Sequence, residues 1–401
     1  MTRKLLSSIF TMMLLIGCQT DPGVNIETKK KIETFENLTV GTKQNITSAI
    51  LNEERPIIIS LPKDYENSNA DYPVLYLTDG LQNIWHAIGT LEVLTRTGSA
   101  PPMIVVGIES TNRMRDFTLT ANENITGSGG GKNFLAFIEK ELIPYIESNY
   151  RTNDYRVLEG HSLGGLFTAS TLMERPDLFS SFIIMSPSLW WNGEELTEKG
   201  KVFFKANPDL NKVMFFGIGT YESSPDYGMR KELKNFLDVI AENQPENLRF
   251  NRKEIDWEGH MSSVLLSNYY GLKYIFSDMA FEESLYENYT DEKFLKHENN
   301  IMDKYGKAAK QSAESYVSLA SSLRQQERYS EAITVLKRSV TAYSFDVGLM
   351  NFLANTYEKN DDVDAAIETL KKAIATSKEN NYNREEEFED QIKRLLGEKG
   401  S

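Results

Sequence analysis

The chain holds a single cysteine, Cys18, among 401 residues. One cysteine forms no intramolecular disulfide and builds no cysteine-rich zinc site. Histidine is nearly as scarce: His86, His161, His260 and His297 are the whole supply. Positive charge is in deficit, with 44 Lys and Arg against 58 Asp and Glu and a formal charge of −14. That balance excludes a general nucleic-acid binder, which needs a basic footprint, and disfavours docking on an anionic membrane by charge. The apolar stretch Leu5 to Ile16 is too short to span a bilayer as a mature helix. The composition is 40% apolar and 25% charged, that of a globular chain with a core and of a length for two or three domains.

The N-terminus has its own pattern. Arg3 and Lys4 precede the apolar stretch, and Leu15-Ile16-Gly17-Cys18 closes it. This resembles a bacterial lipoprotein signal, in which residues 1–17 are removed and Cys18 becomes the acylated first residue. The alternative is an ordinary signal peptide with a chance cysteine. Acylation by more than one chain anchors strongly, because each buried CH₂ contributes about 0.8 kcal/mol. Gln19, not Asp, follows the cysteine, which favours the outer membrane or periplasmic face of the cell envelope. Residues 18–35 are polar and read as a tether.

From residue 36 to 285, short apolar runs alternate with helical spacing. Ile57–Ile59, Val74–Leu77, Met103–Ile108, Tyr155–Leu158, Phe182–Met185, Val213–Ile218 and Phe250–Ile255 read as strands. Residues 132–149, 229–240 and the segments after Ser162 and His260 read as helices. Such alternation predicts an α/β domain: a parallel sheet covered by helices. Beyond a helical connector at 286–305 no strand pattern remains. Tyr316, Leu319, Ala320, Leu323, Ala332 and Leu336 recur, 34 residues on, as Met350, Leu353, Ala354, Tyr357, Ala366 and Leu370. That period, with alanines where helices cross closely, predicts a small all-α domain of tetratricopeptide-like repeats over 306–401.

One motif carries chemistry. Gly160-His161-Ser162-Leu163-Gly164 fits G-x-S-x-G, after a strand and before a helix. Flanking glycines permit the sharp turn of a nucleophile elbow, and the helix N-terminus aims N–H groups at developing negative charge. Ser162 is therefore the candidate nucleophile. Its base must follow it in the chain, which leaves His260 and His297. His297 lies in a charged connector, whereas His260 follows a strand in Trp257-Glu258-Gly259-His260-Met261-Ser262. His260 is the candidate base. Glu222, the first carboxylate after the Val213–Ile218 strand, is the candidate acid, with Asp226 the alternative. The backbone N–H of Leu163 is one candidate oxyanion donor. The other is expected from the loop after Val74–Asp79, at or beside Leu81.

Residues from about 40 to 278 resemble the putative esterase family of α/β-hydrolases. The resemblance rests on Tyr72–Gly80, Val105–Ile108 with Arg113 and Arg115–Thr118, Glu141–Ile146, Gly160–Gly165, Ser186–Trp191 and Glu258–Ser262. The family includes siderophore esterases, S-formylglutathione hydrolases and feruloyl esterases, and a tetratricopeptide tail is similar to a known arrangement within it. The resemblance implies Ser162, Glu222 and His260 as a catalytic triad and Asp79-Gly80-Leu81 as the oxyanion loop. Trp190 and Trp191 are candidates for a substrate pocket or for loop packing. Arg113 and Arg115 are candidates for contact with a substrate anion or for ion pairs with Asp116 or Glu109. The chemistry needs no cofactor and the sequence shows no metal site.

The expectation is thus a lipid-anchored envelope esterase for a siderophore-type or acylated or feruloylated carbohydrate ester. An acyltransferase with the same triad, and a non-catalytic scaffold acting through its repeats, are the rivals. The repeats offer a surface to a protein partner or a second copy.

Overall fold

The computed structural model describes residues 39–243 and 245–399, and the signal, Cys18 and the whole tether lie outside them. Among the described residues eight strands form one sheet: β1 (Thr42–Ser48), β2 (Glu53–Ser60), β3 (Tyr72–Thr78), β4 (Ile104–Ile108), β5 (Thr152–His161), β6 (Ser181–Met185), β7 (Val213–Gly219) and β8 (Arg249–Ile255). Their spatial order is β1-β2-β4-β3-β5-β6-β7-β8. Every residue of β3, β4, β6 and β7 is buried, because helices cover both faces and both sets of alternating side chains need a dry surface. Val74 and Tyr76 face one core, Leu75 and Leu77 the other.

The strands β3 to β8 are mutually parallel, as the alternation predicts. β2 runs antiparallel to β4, and β1 antiparallel to β2. β1 is absent from the strands that the apolar pattern predicts. Its residues, Thr-Lys-Gln-Asn-Ile-Thr-Ser, are mostly exposed on the sheet edge and carry almost no hydrophobic signal.

On one face lie α1 (Gly80–Arg96) and, from further along the chain, α8 (Ser263–Ile275) and α10 (Asp291–Tyr305). The other face is covered by α2 (Arg113–Phe117), α3 (Gly131–Phe137), α4 (Ile143–Asn149), α5 (Leu163–Glu174), α6 (Glu195–Ala206) and α7 (Met229–Asn243). The helix expected over 132–149 is interrupted by a π turn at Ile138–Leu142. Pro144 has no N–H to bond Lys140, so the regular ladder fails there. α8 (Ser263–Ile275) follows the loop that bears His260.

After α9 (Glu283–Glu287), α10 (Asp291–Tyr305) joins the sheet domain to the repeats. The Tyr305 ring packs against both Tyr155 and Phe276, with centroids 4.9 and 5.0 Å away. The repeats are two helix pairs, α11 (Ala313–Gln325) with α12 (Tyr329–Ala342) and α13 (Val347–Lys359) with α14 (Val363–Asn380). α15 (Glu385–Lys399) packs on the end. Ala320, Ala332, Ala354 and Ala366 are all buried where the helices cross, as their recurrence anticipates. Among the described residues no helix is long and apolar enough to cross a membrane.

Candidate active site

In a parallel sheet the carboxyl ends of the strands share one edge, and loops from several strands meet there. Asp79 directly follows β3 and Ser162 directly follows β5, while Glu222 and His260 lie in the loops after β7 and β8, so residues far apart in sequence converge.

Ser162 occupies the turn between β5 and α5 with φ 62° and ψ −118°. This conformation is strained for a residue with a side chain, and close packing enforces it. A Cβ on Gly160 would lie 2.2 Å from the Gly164 carbonyl oxygen, and one on Gly164 would lie 2.4 Å from Thr78 Oγ1. Both contacts are tighter than any side chain tolerates, so the motif's glycines are a packing requirement of the turn. The Ser162 N–H donates to the Met185 carbonyl at 2.9 Å. Its Oγ lies 3.4 Å from Ser188 Oγ. Leu163 is the first residue of α5, so its N–H belongs to the turn that has no intrahelical acceptor.

The second helix N-terminus is that of α1. Asp79 caps it in the left-handed conformation, φ 51° and ψ 51°. Its carboxylate accepts from Arg113 Nε at 2.8 Å and Nη2 at 3.0 Å. Burial pushes the Asp79 carboxyl above its ordinary value against the opposing pull of Arg113. Gly80 permits α1 to press on β4, since a Cβ there would lie 2.5 Å from the Gly107 carbonyl carbon. The absent side chain of Gly164 faces Thr78 and Asp79, so the N-termini of α1 and α5 adjoin. Leu81, in the first turn of α1, points its side chain to solvent.

Glu222 and His260 meet directly. His260 Nδ1 lies 2.9 Å from Glu222 Oε2. The Glu222 side chain is 1% exposed, His260 34%. The other carboxylate oxygen accepts from Ser186 Oγ at 2.5 Å, from the Gly219 N–H at 2.7 Å and from Ser263 Oγ at 3.3 Å. Burial opposes ionisation of Glu222, but the bonds from His260, Ser186 and Gly219 outweigh it and hold the carboxyl below its usual range. Asp226, the alternative acid, lies exposed in the turn beyond. With Nδ1 committed to Glu222, Nε2 is the His260 nitrogen left to take a proton.

Two candidate pocket residues are corrected by their surroundings. Trp191 is buried in the core, and its indole N–H donates to the Thr120 carbonyl at 3.2 Å. Arg115 is spent on structure: its Nη1 and Nη2 donate to Glu53 at 3.1 and 2.9 Å, and its Nε donates to Asp116 at 2.7 Å. Those acids also hold Arg55, which is fully buried, so the cluster neutralises an otherwise costly internal charge. Trp190 is 42% exposed and remains open to solvent. Arg113 pairs with Asp79 and not with Asp116 or Glu109.

Other polar residues at the site carried no sequence signal for their partners. Glu159 is fully buried and accepts from Asn268 Nδ2 at 2.6 Å, while His86 Nε2 lies 3.4 Å away. His161 is also buried and touches His260. Among the described residues no group of three or more His, Cys, Asp and Glu is placed to hold a metal ion.

A mostly parallel sheet with a serine on a strand–helix elbow, and a histidine and carboxylate delivered from later strands, defines an α/β-hydrolase. The model of the putative esterase family matches residues 48–258, just over half of the chain, and tetratricopeptide repeats match 313–345 and 347–380. The chain belongs to the putative esterase family and is a carboxylic ester hydrolase. It is 33% identical over 223 residues to the ferri-bacillibactin esterase BesA of Bacillus subtilis, covering 48% of this chain and 75% of that one. It is 27% identical over 257 residues to the siderophore triacetylfusarinine C esterase of Aspergillus fumigatus, covering 55% of this chain and 87% of that one. An IroE-like serine hydrolase of Shewanella oneidensis superposes with a TM-score of 0.60 at 29% identity, over 75% of this chain and 98% of that one.

Proposed function

We propose that the protein is a serine esterase that cleaves siderophore-type esters through an acyl-enzyme, with Ser162, His260 and Glu222 as its triad. The observation that carries the reading is the His260 Nδ1 bond to the buried Glu222 carboxylate, on the sheet edge that bears Ser162. Ser162 Oγ attacks the ester carbonyl carbon as its proton passes to His260 Nε2. The negative charge on the carbonyl oxygen is held by N–H groups of the α5 and α1 first turns, at Leu163 and the Leu81 region. The C–O bond to the leaving alkoxide breaks as His260 returns the proton to that oxygen. Water then repeats the sequence on the acyl-Ser162 ester and releases the acid. Glu222 keeps His260 oriented and stabilises the imidazolium between the proton transfers.

Relatives named as siderophore esterases support the substrate class. So do the exposed rings of Trp85, Trp190, Tyr221 and Trp257, which lie on the segments bearing the N-terminus of α1, Ser188, Glu222 and His260. Aromatic rings of a substrate stack on such faces. We further assign the enzyme to the cell envelope, anchored by acyl chains on Cys18. The repeats then offer a partner protein a groove of about 310 Å³, lined by Ser321, Arg324, Gln325, Tyr329, Phe352 and Lys359, with two cations and no carboxylate.

The test is hydrolysis of p-nitrophenyl butyrate and of trilactone siderophores, alongside a fluorophosphonate label read by intact mass. One adduct and turnover, both abolished by Ser162→Ala, are expected. Turnover that survives Ser162→Ala overturns the assignment. Release of the protein from membranes by Cys18→Ser tests the anchor.

A further inference from the structure

His161 precedes the nucleophile in the chain but takes no part in the steps above. A strand's alternation turns its side chain away from that of Ser162, yet the fold does not leave it idle. It is 1% exposed. Its Nε2 lies 2.7 Å from the carbonyl oxygen of His260. A carbonyl only accepts, so Nε2 carries the hydrogen and the tautomer is set. The two rings lie with centroids 4.4 Å apart, tilted by 42°.

The loop that carries His260 needs such a hold. It passes through Trp257 at φ 67° and through Gly259, and the His260 ring is a third exposed. Neighbouring residues are tied to the β7 loop, where the Tyr221 N–H donates to Glu258 at 2.9 Å and the Trp257 N–H to Thr220 Oγ1 at 3.1 Å. His161 grips the main chain of His260 itself, from the residue adjoining Ser162. We propose that His161 is a positioning residue that locks the base to the strand carrying the nucleophile, so that the distance between Ser162 and His260 is set by one rigid turn. This rests on the reading of Ser162 and His260 as nucleophile and base.

The electrostatics suit the role. Burial, and then the nearby His260, push the His161 pKa down to about 4, with Glu222 and Arg113 the other charged groups acting on it. A neutral ring donates to the carbonyl without repelling the imidazolium that His260 becomes.

The experiment compares the full chain with His161→Leu, His161→Gln and Ser162→Ala. It reads kcat and KM for p-nitrophenyl butyrate, and the downfield NMR resonance of the His260 Nδ1 proton bonded to Glu222. Leucine removes the donor, and glutamine restores one. His161→Leu is expected to lower kcat about 10- to 100-fold, the scale of a small misplacement, with KM nearly unchanged. Its downfield resonance should broaden or vanish, and His161→Gln should recover most of both signals. Wild-type kcat in His161→Leu overturns the proposal. So does a glutamine variant as impaired as leucine, which would make the ring's packing the whole effect. If Ser162→Ala keeps full turnover, the esterase reading falls separately. The resonance alone then decides: its loss in His161→Leu supports the tie and its persistence overturns it.

Discussion

Replacing Glu222 by glutamine changes one atom and leaves the shape of the site intact. The Oε1 position receives bonds from Ser186, Gly219 and Ser263, all donors, so the amide oxygen must stay there. The amide NH₂ then faces His260 Nδ1, where an acceptor stood at 2.9 Å. Two donors cannot share that contact, so His260 turns its Nδ1 lone pair toward the amide and carries its proton on Nε2. That tautomer cannot accept the Ser162 proton, and the imidazolium loses its counter-charge. The expected loss in kcat is about 10³- to 10⁴-fold, or about 4–5.5 kcal/mol of transition-state stabilisation. Steady-state hydrolysis of p-nitrophenyl butyrate measures it, with Asp226→Asn as the control expected to match wild type. A loss under about tenfold would refute the argument, because the tautomer is then not set by Glu222. The same variant has a pH signature in stability. The Glu222 carboxyl is held below its ordinary value of 4.5, so its ionised form stabilises the fold. That contribution is complete above the unfolded value and is lost as pH falls through the depressed folded one. Chemical denaturation across the acid range should therefore show a steeper loss in wild type than in Glu222→Gln.

The tryptophan pair should divide by burial: Trp191→Ala lowers stability by about 3–5 kcal/mol in a denaturant titration, whereas Trp190→Ala leaves stability nearly unchanged and raises KM for aromatic esters. Gly160→Ala places a methyl 2.2 Å from the Gly164 carbonyl oxygen, and fluorophosphonate labelling of Ser162 should be lost together with at least about 2 kcal/mol of stability. Ala366→Leu overfills a fully buried helix crossing and should cost about 1–3 kcal/mol by thermal unfolding, while hydrolysis by folded protein at moderate temperature stays near wild type.

How much of the site is legible in the sequence depends on whether a residue is recognised by itself or through its partners. Ser162 is marked by local glycines, and His260 by the small number of histidines that follow it. Glu222 and Asp226 remained alternatives until the turn after β7 folded one inward and left the other in solvent. Trp190 and Trp191 are adjacent and chemically identical, yet one is 42% exposed and the other 3%. Only the course of the loop after β6 separates them. Arg113 and Arg115 likewise share a short helix, yet Arg113 meets Asp79 from the turn after β3 and Arg115 meets Glu53 of β2 and the adjacent Asp116. β1 escaped notice because an edge strand is stabilised by backbone pairing, which any polar sequence can supply.

Local pattern is enough to read off what repeats and what alternates: a sheet of apolar runs separated by helices, a glycine-bound serine turn, and helix pairs spaced by 34 residues. These are consequences of local sterics and of the period of burial, which adjacent residues record. Which carboxylate meets His260, that His161 bonds its main chain, that Asp79 answers Arg113, and that Glu159 is buried against Asn268 all emerge only on folding. Each of these is a contact between charges or hydrogen-bonding groups far apart in the chain. Their strength depends on distance and exclusion of water, and neither exists until the sheet has brought its strand ends to one edge.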